Sequence, residues 1–234
     1  MKNKDKLAKI KVEKQTLERE RQVIKALMEG EEKERHRVSR ELHDVVNGNL
    51  AAMKLNLNLA NNNNYDELLD QTMNEIRRLS HNLMPDVVKK FGLNVALDQY
   101  FAGFSDAYGW HVDFQFIGEA SLLTDEASLH VYRIIQELIN NSIKHAGANE
   151  LLVQLIVNEG KLSITVEDNG KGFDIVKAKS TYDNGLGMGL NNLENRVNYL
   201  NGSFDIQSSS ETGTSIYIVI PINEKQQHDT NSDN

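Results

Sequence analysis

Apolar side chains recur at alternating steps of three and four near the start of the chain. They are Leu7, Ile10, Leu17, Ile24, Met28, Val38, Leu42 and Val45, with Lys14, Arg21, Glu31 and Arg35 filling the same face. This alternation is the heptad pattern of a helix laid along partner helices, here with polar interruptions. It predicts one long helix from residue 1 to about 61, with Gly30 as a weak point near the middle. A helix that is polar over most of its surface is not stable alone and implies a second copy. The run Asn61-Asn62-Asn63-Asn64 breaks it, because asparagine competes for backbone hydrogen bonds and tolerates left-handed turns. A second amphipathic helix follows, with Leu68, Leu69, Met73, Ile76, Leu79, Leu83 and Met84 to one side; Pro85 disfavours helix at Met84. Two helices joined by a short turn make a hairpin, and two hairpins make a four-helix bundle, so a homodimer is the natural assembly.

Beyond about residue 95 the periodicity changes. Residues 97–108 read as a short helix, 112–117 alternate as a strand, and 125–145 form a long helix with apolar Leu129, Ile134, Ile135, Leu138 and Ile139. Residues 151–157 and 162–167 are two strands around the turn Asn158-Glu159-Gly160-Lys161. Residues 189–200 read as another helix ended by Gly202, and 203–207 with 215–220 form a closing hairpin stopped by Pro221. Strands mixed with helices in an antiparallel arrangement predict an α+β sandwich and not a Rossmann unit. The tail, 224–234, is polar and expected to be disordered.

Composition narrows the function classes. The net charge of −8 over 234 residues argues against a general nucleic-acid binder, and no basic helix suggests one. The absence of cysteine excludes disulfides and thiolate chemistry. No apolar run approaches the roughly 20 residues that span a bilayer. The start, Met1-Lys2-Asn3-Lys4-Asp5-Lys6, lacks the apolar core of a signal peptide. The expectation is a cytoplasmic chain, or the cytosolic portion of a longer protein anchored in a membrane by a segment N-terminal to it.

Candidate chemistry begins at His43. It directly follows the seam residue Leu42, so it lies about 100° around the helix and reaches solvent beside Asp44. That suits a nucleophile, although a solvated surface histidine has the same pattern. Glu137 and Asn141 share a helix face, with Lys144 and His145 one turn on. A carboxamide oxygen can ligate Mg²⁺ and a lysine can balance phosphate charge; cations complementing a helix end are the plainer alternative. Asp168, in Glu167-Asp168-Asn169-Gly170-Lys171-Gly172-Phe173, offers an acceptor for an adenine amine, and Gly170 and Gly172 permit close approach of the backbone to a flat ring. Turns of this composition also occur where nothing binds. Gly185, Gly187 and Gly189 open a helix whose free amides attract phosphate, without the dinucleotide fingerprint. Gly213-Thr214 precedes the last strand, where the hydroxyl can contact a base.

In this order, the elements resemble the GHKL (Bergerat-type) nucleotide-binding fold, and with the upstream helices the whole is similar to a bacterial sensor histidine kinase. Residues 34–44, Glu-Arg-x-Arg-Val-x-Arg-Glu-Leu-His-Asp, resemble the subfamily paired with LuxR/NarL-type response regulators. The likeness continues through Ile76-Arg77-Arg78-Leu79-Ser80-His81-Asn82-Leu83-Met84-Pro85, Phe91-Gly92-Leu93, Gln136-Glu137-Leu138-Ile139-Asn140-Asn141, Lys144-His145-Ala146 and Gly189-Leu190-x-Asn192-Leu193-x-x-Arg196. It implies a signalling coiled-coil helix at 1–32, a dimerisation and phosphotransfer domain at 33–94 and a GHKL ATP-binding domain at 95–223. It further implies that His43 accepts phosphate from ATP and that Asp44 is the base preparing its ring nitrogen. Asn141 would ligate Mg²⁺, Lys144 and His145 would lie near the phosphates, and Asp168 would read adenine. Gly170, Gly172, Gly187 and Gly189 would shape the pocket, with 174–188 as a lid. Glu137 activates water in related hydrolases; here it would tune His43 or the metal. The implied partners are a second copy and a response-regulator receiver domain. The pattern departs at Gly48, where many relatives carry the Gln or His that aligns water for dephosphorylating the regulator. A GHKL-type ATPase and a non-catalytic nucleotide-binding coiled-coil adaptor are the competing readings.

Overall fold

The structure is a computed structural model that describes residues 2–41, 86–108, 110–175, 186–209 and 212–222. The chain divides into two compact units, Met1–Asp86 and Val87–Asn234.

In the first unit, α1 (Lys2–Glu41) is one continuous helix that runs through Gly30 without a break. Burial follows the three-four seam only from Ile24 onward. Ile10 and Leu17 are exposed, Ile24, Glu31, Arg35 and Val38 are half-buried, and Met28 is buried. Two of the polar interruptions satisfy each other, since Arg35 donates to Glu31 one turn back at 3.0 Å. Such i, i+4 pairs stabilise a helix by only about 0.2–0.5 kcal/mol. His43, Asp44, Gly48, the Asn61–Asn64 break and the second amphipathic helix lie outside the described residues.

The division falls at the first residue of α2 (Asp86–Phe91), which leads into α3 (Leu93–Tyr108) of the second unit. The latter starts four residues before the predicted 97, because Gly92 adopts φ +85 between the helices and Leu93, Ala96, Leu97 and Tyr100 form one buried face. β1 (His111–Ile117) follows, then a short 3₁₀ turn and α4 (Asp125–Asn141). The predicted helix 125–145 is helical throughout but not of one type: Ser142–Ala146 is a π turn, closed by Gly147 at φ 61. β2 (Glu150–Asn158) and β3 (Lys161–Asp168) form the expected hairpin. Its two-residue turn places Glu159 at φ 48 and Gly160 at φ 69, the left-handed pair that matches strand twist. α5 (Leu186–Tyr199), β4 (Ser203–Ser209) and β5 (Gly213–Pro221) complete the unit.

The sheet order is β1-β2-β3-β5-β4. One prediction needs correcting: β1 and β2 are parallel, Val112 facing Leu151 and Phe116 facing Leu155. The reason is the length of the connection. A helix lies between these strands and carries the chain back to the end where it started, whereas antiparallel neighbours need only a turn. The other pairs are antiparallel. A second correction concerns the end of α5, where Asn201, not Gly202, takes the left-handed position at φ 54. Gly202 is needed for closeness, since a Cβ there would lie 2.8 Å from the Val219 carbonyl oxygen. Finally, β5 begins at Gly213, so Thr214 is inside the strand and not before it.

The core lies between helices and sheet. Val131, Ile134, Ile135, Leu138 and Ile139 of α4 meet the inward row Val153, Leu155, Leu162, Ile164, Ile218 and Ile220, all buried. Burying each such side chain contributes roughly 1.5–3 kcal/mol.

Candidate functional site

A cavity of about 290 Å³ opens where the end of α4, the π turn, α5 and the ends of β3 and β5 come together. Leu138, Leu190, Ala146 and Ile216 supply apolar wall, while Asn141, Ser142, His145, Asp168, Lys171 and Thr214 supply polar groups. A mostly apolar concavity with a few placed polar atoms is the ordinary form of a small-molecule site.

Local sequence explains each position. Leu138, Asn141, Ser142 and His145 follow one another at helical spacing, so a single face carries all four to the cavity. π turns are rare and concentrate at functional sites. Asp168 ends the central strand β3 and sits opposite Thr214 in the β3–β5 register. It is only 9% exposed, and both its oxygens have donors: Gly170 N–H at 3.0 Å to Oδ1 and the Ser142 hydroxyl at 2.8 Å to Oδ2. A buried carboxylate held this way keeps further lone pairs for a ligand donor. The Thr214 hydroxyl shares a hydrogen bond with the Ser208 hydroxyl at 3.0 Å, and Ser208 also accepts from Phe173 N–H at 2.9 Å.

The loop after Asp168 is tied down on several sides. Asn169 Oδ1 accepts from the backbone N–H groups of Asn149 and Glu150 at 3.0 and 3.1 Å, and its amide donates to Asn149 Oδ1 at 2.7 Å. Lys171 N–H donates to the Ala146 carbonyl at 2.9 Å. Two glycines make these approaches possible. A Cβ at Gly170 would stand 2.4 Å from the Ala146 Cβ, and Gly172 has φ +57 with Ser209 O 2.2 Å from the same hypothetical atom. In the first turn of α5, which also holds Gly187, a Cβ at Gly189 would lie 2.7 Å from Glu137 Oε1 and 3.3 Å from Asn141 Oδ1. Glu137 and Asn141 thus stand beside the start of a helix whose first amides lack helical partners.

Comparison with known proteins now adds to this geometry. Residues 34–88 match a family model described as "Histidine kinase", and residues 126–224 match "Histidine kinase-, DNA gyrase B-, and HSP90-like ATPase". The chain belongs to the histidine kinases. Its relatives include sensor histidine kinase MctS of Rhizobium johnstonii, 36% identical over 208 residues, 83% of this chain and 44% of that protein. Oxygen sensor histidine kinase NreB of Staphylococcus carnosus is 30% identical over 87% of this chain and 60% of its own length. Signal transduction histidine-protein kinase/phosphatase DegS of Brevibacillus brevis is 30% identical over 84% of this chain and 53% of its own length. The chain therefore spans about half the length of the curated relatives it matches. The ATPase match implies ATP binding by the second unit.

Within the histidine-kinase frame, the predicted residues separate by location. Asn141, His145, Asp168, Gly172 and Thr214 line this same cavity; Gly170, Gly189 and Glu137 stand behind or beside it. Lys144 is exposed on the π turn and is not among the lining residues, and Gly187 lies in the first turn of α5. His43 and Asp44 fall in the first matched segment and outside the described residues. Sequence reasoning missed Ser142, Lys171 and Phe173 as lining residues. The signal for Ser142 was available, because it shares its helix face with Leu138 and His145. Among the described residues no three His, Cys, Asp or Glu side chains group to hold a metal, and no helix is long and apolar enough to cross a membrane. A divalent ion at Asn141 would thus complete its shell with phosphate and water oxygens, the habit of Mg²⁺.

Proposed function

We propose that this chain is the kinase portion of a two-component sensor. It uses ATP to phosphorylate its own His43 and passes the phosphoryl group to an aspartate on a response-regulator receiver domain, of the kind joined to LuxR/NarL-type DNA-binding domains. The observation that carries this reading is a buried, doubly hydrogen-bonded Asp168 at the wall of a cavity, in a chain that also carries a phospho-acceptor-type segment.

In this reading Asp168 accepts a hydrogen bond from the adenine amine, Thr214 contacts the base, and Leu138, Leu190 and Ile216 take its apolar faces. Gly170 and Gly172 fix the loop that shapes the base end. The first turn of α5, with Gly187 and Gly189, offers amides to the phosphates, and Lys144, His145 and Lys171 add donors and positive charge. The Asn141 carboxamide would be the protein ligand of a Mg²⁺ ion, which would supply charge neutralisation at the phosphates. Glu137 orients Asn141 and tunes charge there. One ring nitrogen of His43 attacks the γ-phosphorus, the bond from that phosphorus to the β-bridging oxygen breaks, and ADP leaves. Asp44 holds the other ring N–H and stabilises the charge the imidazole gains. Such a transfer depends on positioning and charge balance more than on covalent catalysis by the protein.

The assembly is a homodimer along the α1 seam, organised as a signalling helix (1–32), a dimerisation and phosphotransfer domain (33–94), an ATP-binding domain (95–223) and a tail (224–234), on the cytosolic side. Incubation with ATP labelled at the γ-position tests it. The wild-type chain gains acid-labile label and His43→Gln gains none; equal label on both would refute the reading. With Gly48 in place of the usual water-aligning residue, removal of phosphate from the regulator is expected to be weak.

A further inference from the structure

The hydroxyl of Ser142 has no role in the reaction just described, yet it is 5% exposed, lines the cavity and touches the carboxylate that would read the base. We infer that Ser142 is a positioning residue for nucleotide selectivity: it locks the Asp168 carboxylate so that the base end of the cavity presents only hydrogen-bond acceptors. The inference rests on the reading of the cavity as an ATP site.

A serine hydroxyl carries one proton. Two acceptors compete for it, Asp168 Oδ2 at 2.8 Å and the Leu138 carbonyl oxygen at 3.3 Å. The carboxylate is both nearer and charged, so it takes the proton. The serine oxygen is then left with lone pairs only. Gly170 N–H holds the other carboxylate oxygen at 3.0 Å, which fixes the carboxylate plane from both ends. What remains facing the cavity from these two side chains is acceptor on acceptor. A purine with an amino group at its six position supplies a donor there. A purine with an oxo group supplies another acceptor and is repelled.

The local fold accounts for the geometry. Ser142 is the first residue of the π turn, directly after α4 ends at Asn141, so the same step that brings Asn141 to the cavity brings Ser142 against the end of β3. An alanine at this position leaves the carboxylate with one donor fewer and free to turn, and lets it or a water meet an oxo group.

The full chain with Mg²⁺ is titrated with ATP and with ITP, whose base carries an oxo group at the six position and a proton on the neighbouring N1, by displacement of a fluorescent ATP analogue. Wild type is expected to prefer ATP by about tenfold or more, the value of one hydrogen bond to a charged group against a repulsive contact. Ser142→Ala is expected to lose most of that ratio, chiefly by gaining ITP relative to ATP, and Ser142→Thr, which keeps the hydroxyl, restores it. Asp168→Asn, whose amide can donate to an oxo group, shifts the ratio further toward ITP. If Ser142→Ala weakens ATP and ITP by the same factor, or leaves the ratio at the wild-type value, Ser142 is structural only and the inference is overturned. A wild-type chain that binds neither nucleotide overturns the ATP reading itself, together with this inference.

Discussion

The two ends of α4 obey different rules. At its N-terminus, Thr124 is an extended cap whose hydroxyl accepts from Ala127 N–H at 3.1 Å, and Asp125 and Glu126 occupy the first turn. Every feature there favours the helix and its dipole, and none lines the cavity. At the other end the helix gives up its α geometry for a π turn and closes on a left-handed glycine. Asn141, the last α residue, and Ser142, His145 and Ala146 of that irregular stretch all reach the cavity. One end is built for stability and the other for a ligand, which is where local rules are expected to yield.

The contrast is sharpest if substitutions at the two ends act on different observables. The largest expected effect is at the irregular end. Asn141→Ala should cut γ-phosphoryl transfer to the chain by about a hundredfold or more, the scale seen when a group facing developing charge is removed. Asn141 is only half-buried, so thermal unfolding should move little. A parallel fall in melting temperature and labelling would mean that Asn141 serves the fold. Next comes Gly170→Ala. Its methyl would meet the Ala146 Cβ and carbonyl within 2.4 and 2.7 Å, so the loop must shift. Overpacking of this kind costs about 1–3 kcal/mol. ATP affinity should fall with it, because the same glycine N–H holds Asp168, and calorimetry on the variant checks both.

Much of this arrangement was legible from residues alone, and the misses share a cause. The hairpin at Asn158–Lys161 announces itself through a glycine between alternating strands, and α4 through its apolar spacing; both depend on neighbours in sequence. The parallel β1–β2 pairing does not, because Val112 and Leu151 meet only after a whole helix has returned the chain. The π turn is similar, since Ser142–Ala146 reads as ordinary helix until its tertiary partners are known. For the candidate site, residue types with obvious chemistry were found: Asp168, Asn141, His145 and Thr214. For Ser142 the helical spacing from Leu138 and His145 gives its place on the cavity face, but a serine there has no distinctive chemistry until its hydroxyl is placed 2.8 Å from a buried carboxylate.

Two smaller effects belong to the regular end. Thr124→Ala should cost about 1 kcal/mol of stability, the usual value of a lost N-cap, as a lower denaturation midpoint with unchanged slope. ATP affinity should stay at the wild-type value; a drop beyond the assay error would mean that the two ends communicate through α4, and the division drawn above would fail.

The smallest effect is Glu126→Gln. The side chain is exposed; its charge complements the helix N-terminus, and it accepts from the Tyr199 hydroxyl on α5. A glutamine oxygen can still accept from tyrosine, so the substitution chiefly removes charge. At an exposed helix end that charge is worth about 0.3–1 kcal/mol at low ionic strength, and salt screens it. The difference in stability between variant and wild type should therefore shrink as salt is raised, while Thr124→Ala keeps its full cost, because a neutral hydroxyl cap is not screened. A salt-independent loss at Glu126 would instead assign its contribution to the hydrogen bond with Tyr199, making the α4–α5 contact, and not the dipole, what this residue serves.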